Sequence, residues 1–456
     1  MNNGINKRAV LLILALSPFL AAFMGSSINI ALPSIGREFQ MNAVLLGWVA
    51  TAYILASATC LLPFGRLADI YGRKRILTYG TFIFTIASLL LAFAPSATVL
   101  IALRALQGIG GAMIFTTGIA ILTSVFPAGE RGKALGINAA ATYLGLSLGP
   151  VLGGLLTQHF GWRSIFLVMV PLGATIIALI FTKLKGEWAE ARGEKFDLAG
   201  SVIYGLALTG IIYGFSLLPA KLGIWLIAIG ASGIFALVQR EAKVGSPLLD
   251  INLFRQNRVF AFSNLAVLLN YSAAYAVSFL LSLYLQYIKG LSPQNAGLIL
   301  VAMPAVQASF SPVAGRLSDR IEPRILASVG MGLIAIGLSL FISLGENTSL
   351  GFIIASLILI GFGFGFFASP NTNAIMSSVN QRFYGVASAT LATMRQVGMS
   401  FSMGIAMLLF AIYIGKVEIT PEYYPLFLSS TKIAFIIFTA LCFGGIFASL
   451  ARAKTR

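Results

Sequence analysis

The stretch GRLADIYGRKR (65–75) separates two apolar runs, and a similar stretch, GRLSDRIEPR (315–324), begins 250 residues later, at 315 rather than 65. Each stretch places a glycine, an aspartate and several arginines directly after an apolar run. A second pair, RGKA (131–134) and YGVA (384–387), is separated by 253 residues, and each member opens an apolar run. Two repeats at nearly the same offset indicate a duplicated structural unit.

The composition around these stretches indicates a chain whose main solvent is lipid. Of 456 residues, 58% are hydrophobic and 10% are charged, whereas soluble domains carry about 25% charged residues. The net charge of +17 does not indicate a nucleic-acid partner, because the basic residues lie in short connectors between apolar runs. The two cysteines, Cys60 and Cys442, lie in separate runs and predict neither a disulfide nor a metal site.

Fourteen apolar runs are long enough to span a bilayer, which takes about 20 residues. They lie at roughly 9–32, 44–64, 76–95, 98–126, 133–157, 164–182, 198–218, 222–239, 259–286, 295–313, 325–344, 350–370, 385–414 and 431–451. If the runs alternate and both termini share one side, that side holds 23 of the 31 lysines and arginines and the other side holds six. Basic residues favour the cytoplasm, so the sequence predicts a multi-pass protein of the cell membrane with both termini cytoplasmic.

The repeat divides the chain into three parts. Spans 1–6 form an N-terminal six-helix bundle (1–183), and spans 9–14 form a C-terminal six-helix bundle (246–456). Between them lie two extra spans and a charged linker (184–245). The segment KLKGEWAEARGEKFD (183–197) holds four basic and four acidic residues and is typical of a solvated connector.

Several motifs resemble the major facilitator superfamily. GRLADIYGRKR resembles its signature loop between the second and third helices, and LRALQGIGGA (103–112) its fourth-helix motif. GLSLGPVLGG (145–154) resembles the antiporter motif of exporters. Four further segments resemble the fourteen-span drug–proton antiporter branch: INIALPSI (28–35), WRSIF (162–166), PLLDINLFRQNRVF (247–260) and RQVG (395–398). The resemblance implies an all-α membrane protein with the major facilitator fold, a monomer that exports small amphipathic compounds by alternating access.

The signature loop and its repeat predict a cytoplasmic gate. Its candidate residues are Gly65, Asp69, Gly72, Arg73, Arg131, Arg316 and Asp319. The resemblance implies that Asp69 faces the N-terminus of the helix opening at YGVA and, with Arg73 and Arg131, holds the cytoplasmic side closed. A carboxylate at that helix end contributes about 0.3–1 kcal/mol. Asp319 with Arg316 would form the weaker counterpart.

The antiporter motif has a physical interpretation of its own. Its residues are Gly145, Gly149, Pro150, Gly153 and Gly154. The glycines allow a neighbouring helix to approach closely, and the proline removes a backbone donor and bends the helix. The pattern fits a seal at the interface between the bundles, or ordinary close packing of helices.

Polar side chains inside spans usually face a bundle interior or a cavity. The candidates for a substrate and coupling cavity are Asn29, Tyr53, Arg104, Gln107, Asn138, Tyr143, Asn270, Tyr271, Tyr275, Gln307, Arg395 and Gln396. For any single Asn, Gln or Tyr the alternative is a hydrogen bond between helices. Arg104 either reaches the outer surface with its long side chain or points into the cavity near the first helix.

Enzyme sites are not indicated by this sequence. The chain has one histidine, His159, in a predicted outer loop, and it has no metal-binding, nucleophile or phosphate-cradling motif. No cofactor or metal is therefore expected. The implied energy source is an ion gradient, with protons the expected ion.

Proton coupling has an unusual feature, because all fourteen acidic residues lie in loops or at span ends. Aligned on INIALP, the position where the drug–proton branch carries an aspartate is Met24. Two transport hypotheses follow: a drug or metabolite exporter coupled to protons through an unusual site, and a carrier of anionic or neutral solutes that uses Arg104 and Arg395. A third hypothesis is a transporter-like sensor that binds without cycling.

Overall fold

A computed structural model describes residues 6–243, 248, 251–318, 320–379, 384–415 and 417–452, without the side chains at 128, 129, 131–133, 252 and 384. This part of the chain is mainly helical, and fourteen of its helices are long and apolar enough to cross a membrane. We number them α1 (Lys7–Phe39), α2 (Ala43–Tyr71), α3 (Arg73–Ala92), α4 (Ala97–Val125), α5 (Ala128–Phe160), α6 (Arg163–Lys183), α7 (Leu198–Leu217), α8 (Lys221–Glu241), α9 (Arg258–Ile288), α10 (Pro293–Leu317), α11 (Pro323–Ser343), α12 (Leu350–Ser377), α13 (Tyr384–Tyr413) and α14 (Pro421–Leu450). The fourteen-span prediction is confirmed.

The helices begin and end where the sequence supplies caps and breaks. The side chains of Asn6, Asn42, Ser96 and Asn257 each accept a hydrogen bond from a backbone N–H in the first turn of the helix that follows. Such caps satisfy donors that the helix leaves free. Four of the helices are irregular. The helix α9 is interrupted at Tyr275 and ends in a π turn, Tyr284–Ile288, and α10 is interrupted at Val301. The helix α11 ends in a 3-10 turn, Phe341–Ser343, and α14 begins with one, Pro421–Tyr423.

Two groups of six helices surround a central space, and the sequence prediction of this architecture is confirmed. In the first bundle α1 packs on α5, α2 on α4, and α3 on α4 and α6. In the second, α9 packs on α13 and α14, α10 on α12, and α11 on α12 and α14. The bundles meet where α2 contacts α13 and α5 contacts α10. The residue limits 1–183, 184–245 and 246–456 stay a prediction.

The extra pair α7 and α8 packs together outside the two bundles, and α7 contacts both of them. On the first bundle, the Tyr204 hydroxyl donates to the Ala58 carbonyl of α2 at 2.9 Å. On the second, the rings of Phe215 and Phe401 lie 6.3 Å apart. The helix α7 therefore lies across the seam between α2 and α13.

The two ends of the helices differ in charge. We call the end that carries Lys7, Arg73 and Lys183 the basic face, and the end at Phe39 and Phe160 the opposite face. At the opposite face, the Trp162 indole and the Arg163 guanidinium both donate to Glu38 of α1, at 2.7 and 2.8 Å. This is the structural role of the WRSIF motif: it fastens the start of α6 to the end of α1.

Proline residues in α1 create hydrogen-bond acceptors for neighbouring helices. Pro18 has no N–H, so the Leu14 carbonyl four residues earlier lacks its usual helical donor. The Asn138 side chain of α5 donates to that carbonyl at 2.6 Å. Asn138 is therefore a contact between helices, and its predicted position in the cavity is wrong.

Candidate functional site

A cavity of about 210 Å³ lies between the two bundles. Helices α1, α2, α4 and α5 of the first bundle and α9, α10, α12 and α13 of the second contribute to its walls. The predicted residues that it brings together are Asn29, Tyr53, Tyr143, Tyr271, Tyr275, Gln307, Arg395 and Gln396. The remaining walls are mostly apolar, so the cavity suits a compound with a large apolar surface and a few polar groups.

Arg395 of α13 is the only charged residue among the described residues that line this cavity. It is half-buried, and its guanidinium carbon lies 5.6 Å from the centroid of the Tyr271 ring. The other neighbour of that ring is Phe364, at 5.8 Å between centroids. The cavity thus carries one cation beside an aromatic wall, and a cation over a ring face is held there electrostatically.

Arg104 does not line the cavity, which corrects its predicted position. Its side chain is 1% exposed, and its Nε donates to the Val49 carbonyl at 3.0 Å. Its Nη1 donates to the Gln107 Oε1, and its guanidinium carbon lies 4.6 Å from the centroid of the Tyr53 ring. Within the described residues it has no carboxylate partner.

Gln107 and Asn270 also lie outside the cavity walls. The Gln107 Nε2 donates to the Ser88 hydroxyl at 2.8 Å, so this side chain joins α4 to α3. Asn270 is fully buried within α9, away from the cavity. The predicted cluster of α9 is therefore divided, since Tyr271 and Tyr275 line the cavity whereas Asn270 does not.

Hydrogen bonds between the bundles concentrate toward the opposite face. The Ser282 hydroxyl donates to the Asn29 carbonyl at 2.6 Å. The Gln294 amide N–H donates to the Gln158 side chain at 3.3 Å, and the His159 Nε2 lies 3.2 Å from the Gln294 Oε1. No hydrogen bond or ion pair of the described residues joins the bundles at the basic face. The cavity is therefore closed toward the opposite face.

At the cavity's midpoint a further hydrogen bond crosses the seam between the bundles. The Gln396 Nε2 of α13 donates to the Ser57 hydroxyl of α2 at 2.7 Å. Gln396 follows Arg395 directly, so this bond fixes the part of α13 that carries the cavity's cation.

The glycines of the antiporter motif lie where α5 touches its neighbours. A Cβ at Gly153 would lie 2.6 Å from the Cβ of Ser27 in α1, and one at Gly154 would lie 2.5 Å from the Pro293 carbonyl oxygen of α10. Gly145 and Gly149 also contact α1. The motif thus allows α5 to pack closely on α1 of its own bundle and on α10 of the other bundle, while Pro150 lines the cavity. Its role in antiport stays a prediction.

The predicted gate loop contacts the linker that follows α6, a partner that the sequence analysis did not predict. The Asp69 carboxylate accepts from the Arg73 Nε at 2.8 Å, and Arg73 also pairs with Glu190 of the linker at 2.8 and 3.1 Å. A Cβ at Gly385, where α13 begins, would have no atom within 4 Å. The predicted contact between Asp69 and the start of α13 stays a prediction, because residues 380–383, which lead into α13, lie outside the described residues.

Other gate residues have simpler outcomes. Gly72 has φ +119° between α2 and α3, a conformation that favours glycine. Gly65 lies in α2, and a Cβ placed on it would lie 3.7 Å from the Thr116 Cγ2 of α4. Asp319 and the Arg131 side chain lie outside the described residues, so the predicted pair between Arg316 and Asp319 stays a prediction.

The linker after α6 is exposed at most of its charged residues, as the sequence predicts, and it also contacts the gate loop. Its Trp188 carbonyl accepts from the Arg73 N–H at 2.8 Å, and its Ala191 N–H donates to the Asp69 carbonyl at 3.0 Å. Glu194 pairs with Arg66. Sequence reasoning missed this contact.

Comparison with known proteins agrees with this architecture. The model of the Major Facilitator Superfamily matches residues 14–403 and 264–454. The riboflavin transporter RibZ of Clostridioides difficile is 34% identical over 88% of this chain and 87% of its own length. The multidrug resistance protein Stp of Mycobacterium tuberculosis is 31% identical over 83% of this chain and 71% of its own length. The multidrug efflux pump LfrA of Mycolicibacterium smegmatis is 31% identical over 85% of this chain and 78% of its own length.

Solved structures show the same fold at low sequence identity. The human organic anion transporter MFSD10 superimposes with a TM-score of 0.64 at 16% identity, over 97% of this chain and 99% of that one. A bacterial homologue of the human lysosomal transporter Spinster gives a TM-score of 0.68 at 17% identity, over 99% of this chain and 100% of that one. From the family match, the relatives and the fourteen-helix fold around a central cavity, we conclude that the chain is a transporter of the major facilitator superfamily, with multidrug efflux pumps among its relatives.

Proposed function

We propose that this transporter is a secondary active exporter of small amphipathic aromatic compounds, neutral or anionic, which it carries by alternating access. One observation carries the proposal: Arg395 is the single charged side chain among the described cavity residues, and it lies beside the Tyr271 ring. Of the two transport hypotheses from the sequence, this favours the carrier of anionic or neutral solutes, with Arg395 rather than Arg104 as its cation.

The chemistry of Arg395 sets the order of preference among substrates. A guanidinium stays charged at all physiological pH values and binds carboxylates and phosphates through two parallel hydrogen bonds. In a water-poor cavity it repels a cation more strongly than it would in water. We therefore expect anionic aromatic compounds to be carried best, neutral ones next and lipophilic cations least.

Two relatives support the substrate class and the direction. The RibZ transporter is a riboflavin transporter, and riboflavin is a neutral planar aromatic compound that suits the tyrosine-lined cavity. LfrA is an efflux pump. By the positive-inside tendency the basic face lies in the cytoplasm, with both termini, and a cavity closed toward the opposite face would then load its substrate from inside the cell.

The energy source that we propose is an ion gradient, and the chain is proposed to work as a monomer. Proton antiport lacks an evident carboxylate, because the described cavity residues include no Asp or Glu. Met24, at the position of the expected acid, is fully buried in α1 and is not a cavity residue. A proton-coupled exporter of cationic drugs is therefore the less favoured function.

Flux into proteoliposomes tests the proposal with three planar aromatic probes: riboflavin (neutral), flavin mononucleotide (anionic) and ethidium (cationic). We expect flavin mononucleotide to be preferred. Arg395→Gln should lower its flux at least tenfold relative to riboflavin, because a hydrogen bond to a charged group is worth about 1.5–3 kcal/mol. Arg395→Lys should retain part of the preference.

The control is Arg258→Gln, which removes an exposed arginine at the start of α9 and should change none of the three fluxes. Each flux is measured with and without a proton gradient. Ethidium flux that exceeds the others and collapses when an uncoupler is added would overturn the proposal in favour of a proton–drug antiporter. Probe binding without flux would favour the sensor hypothesis.

A further inference from the structure

Pro33 of α1 leaves a backbone carbonyl available at the seam between the bundles. Because proline has no N–H, the Asn29 carbonyl four residues earlier loses its helical donor. The Ser282 hydroxyl of α9 donates to this carbonyl at 2.6 Å. On the next carbonyl, that of Ile30, the Gln286 Nε2 donates at 3.0 Å, and it also donates to the Ser282 hydroxyl at 3.1 Å.

The same device occurs once more in α1, but within a single bundle. At Pro18 the freed Leu14 carbonyl accepts from Asn138 of α5, which belongs to the same six-helix group. The bond at Pro18 can therefore persist while the bundles move relative to each other, whereas the bonds near Pro33 must break if α9 moves away from α1. The two prolines thus provide a fixed contact and a separable one in the same helix.

The separable contact is reversible because of where it lies. A carbonyl without a donor is costly in a lipid or protein interior, so α1 favours the position in which α9 supplies the donors. When the opposite face opens, water enters the gap and can satisfy the same carbonyl oxygens. The contact therefore stabilises one of two arrangements without preventing the other.

We propose that Ser282 and Gln286, with the Asn29 and Ile30 carbonyls near Pro33, form a latch that holds the opposite face closed and sets the balance between the two transport states. We call this set the α1–α9 latch. The inference rests on the proposed alternating-access cycle and concerns its equilibrium, not the substrate.

Distance measurement between two spin labels tests the latch in lipid nanodiscs without substrate. The labels are placed on exposed opposite-face residues of the two bundles, as Thr98→Cys and Asn347→Cys, in a Cys60→Ala and Cys442→Ala background. Opening of the opposite face adds a longer distance to the distribution. Ser282→Ala should raise the population of that longer distance about three- to fivefold, the effect of losing one hydrogen bond between helices.

Pro33→Ala should act in the same direction, because the restored N–H competes for the Asn29 carbonyl. In the double variant of Pro33→Ala and Ser282→Ala, the population of the longer distance should rise by less than the product of the two single fold-increases, since both changes act on one bond. Ser282→Thr keeps the hydroxyl and should resemble the parent.

Two matched controls complete the experiment. Ser272→Ala removes another α9 serine, for which the described residues show no bond to the first bundle, and Pro18→Ala changes the proline whose partner lies in its own bundle. Both should leave the distance distribution unchanged. If Ser282→Ala and Pro33→Ala also leave it unchanged, the latch is refuted. Because the readout needs no substrate, a failure of the proposed substrate class would leave this result intact.

Discussion

Replacing Arg104 by methionine distinguishes its role from that of Arg395, the cavity arginine. The Arg104 side chain makes one hydrogen bond to the Val49 carbonyl and one to Gln107, and it lies against the Tyr53 ring. Arg104→Met removes these interactions but also removes a buried charge that has no carboxylate partner among the described residues. The desolvation cost of such a charge is several kcal/mol, so the two effects largely cancel.

What remains is the oxygen that loses its donor. The Gln107 Oε1 becomes a buried acceptor without a partner, which costs about 1–3 kcal/mol. We therefore expect Arg104→Met to lower the free energy of unfolding by about that amount. Adding Gln107→Leu should recover at least half of the loss, because the Ser88 hydroxyl left behind already donates to the Phe84 carbonyl at 2.7 Å.

The assay combines unfolding of the purified protein in detergent with the ratio of flavin mononucleotide to riboflavin flux. Arg104→Met should leave this ratio within about twofold of the parent, since Arg104 is not a cavity residue. Arg395→Met, which makes the same chemical change inside the cavity, should abolish the anionic preference. If Arg104→Met removes the anionic preference as Arg395→Met does, the assignment of Arg104 to a structural role is refuted.

Two further predictions concern helix packing and pH. Gly154→Ala should lower both the melting temperature and the flux, because its Cβ would lie 2.5 Å from a backbone carbonyl of α10. Gly136→Ala, in the same helix with no atom within 4 Å of its Cβ, should lower neither. Equal effects of the two variants would contradict the packing role of Gly154. The Arg240 guanidinium, hydrogen-bonded at 2.9 Å, lowers the pKa of the Asp197 carboxyl. Asp197 therefore adds stability above about pH 4 that is lost as the pH falls through its lowered pKa; melting temperatures at pH 7 and pH 3.5 should show a smaller difference in Asp197→Asn.

The spans could be predicted from the sequence because each depends on local composition. A run of about 20 apolar residues has few alternatives, and the loop at 65–75 marks the fold through its own residues. The partner of Arg104 could not be predicted in this way. Val49 and Tyr53 are about 50 residues away, and only the packing of α2 on α4 brings them to the guanidinium.

Asn138 shows where the sequence held a signal that polarity alone does not reveal. Its polar side chain within a span predicts a cavity position, whereas the structure places it on a carbonyl of α1. The proline that frees this carbonyl, Pro18, is visible in the sequence. Each proline within a span frees the carbonyl four residues earlier, so the freed carbonyls can be found from the sequence. Such a search would have identified the Leu14 carbonyl as a possible partner for Asn138. The contact between the linker and the gate loop could not be predicted from the sequence, because glutamates in a mixed-charge segment usually face water.

The position of α7 has a consequence for how such a chain can be shortened. The repeat lies in the two six-helix groups, and joining α6 directly to α9 would remove the extra pair without interrupting it. Yet the Tyr204 hydroxyl of α7 satisfies the Ala58 carbonyl of α2, and Phe215 covers Phe401 of α13. A twelve-helix derivative would expose that carbonyl and that ring to the acyl chains of the bilayer. Its α2 and α13 would therefore need new side chains before it could serve as a minimal version of this transporter.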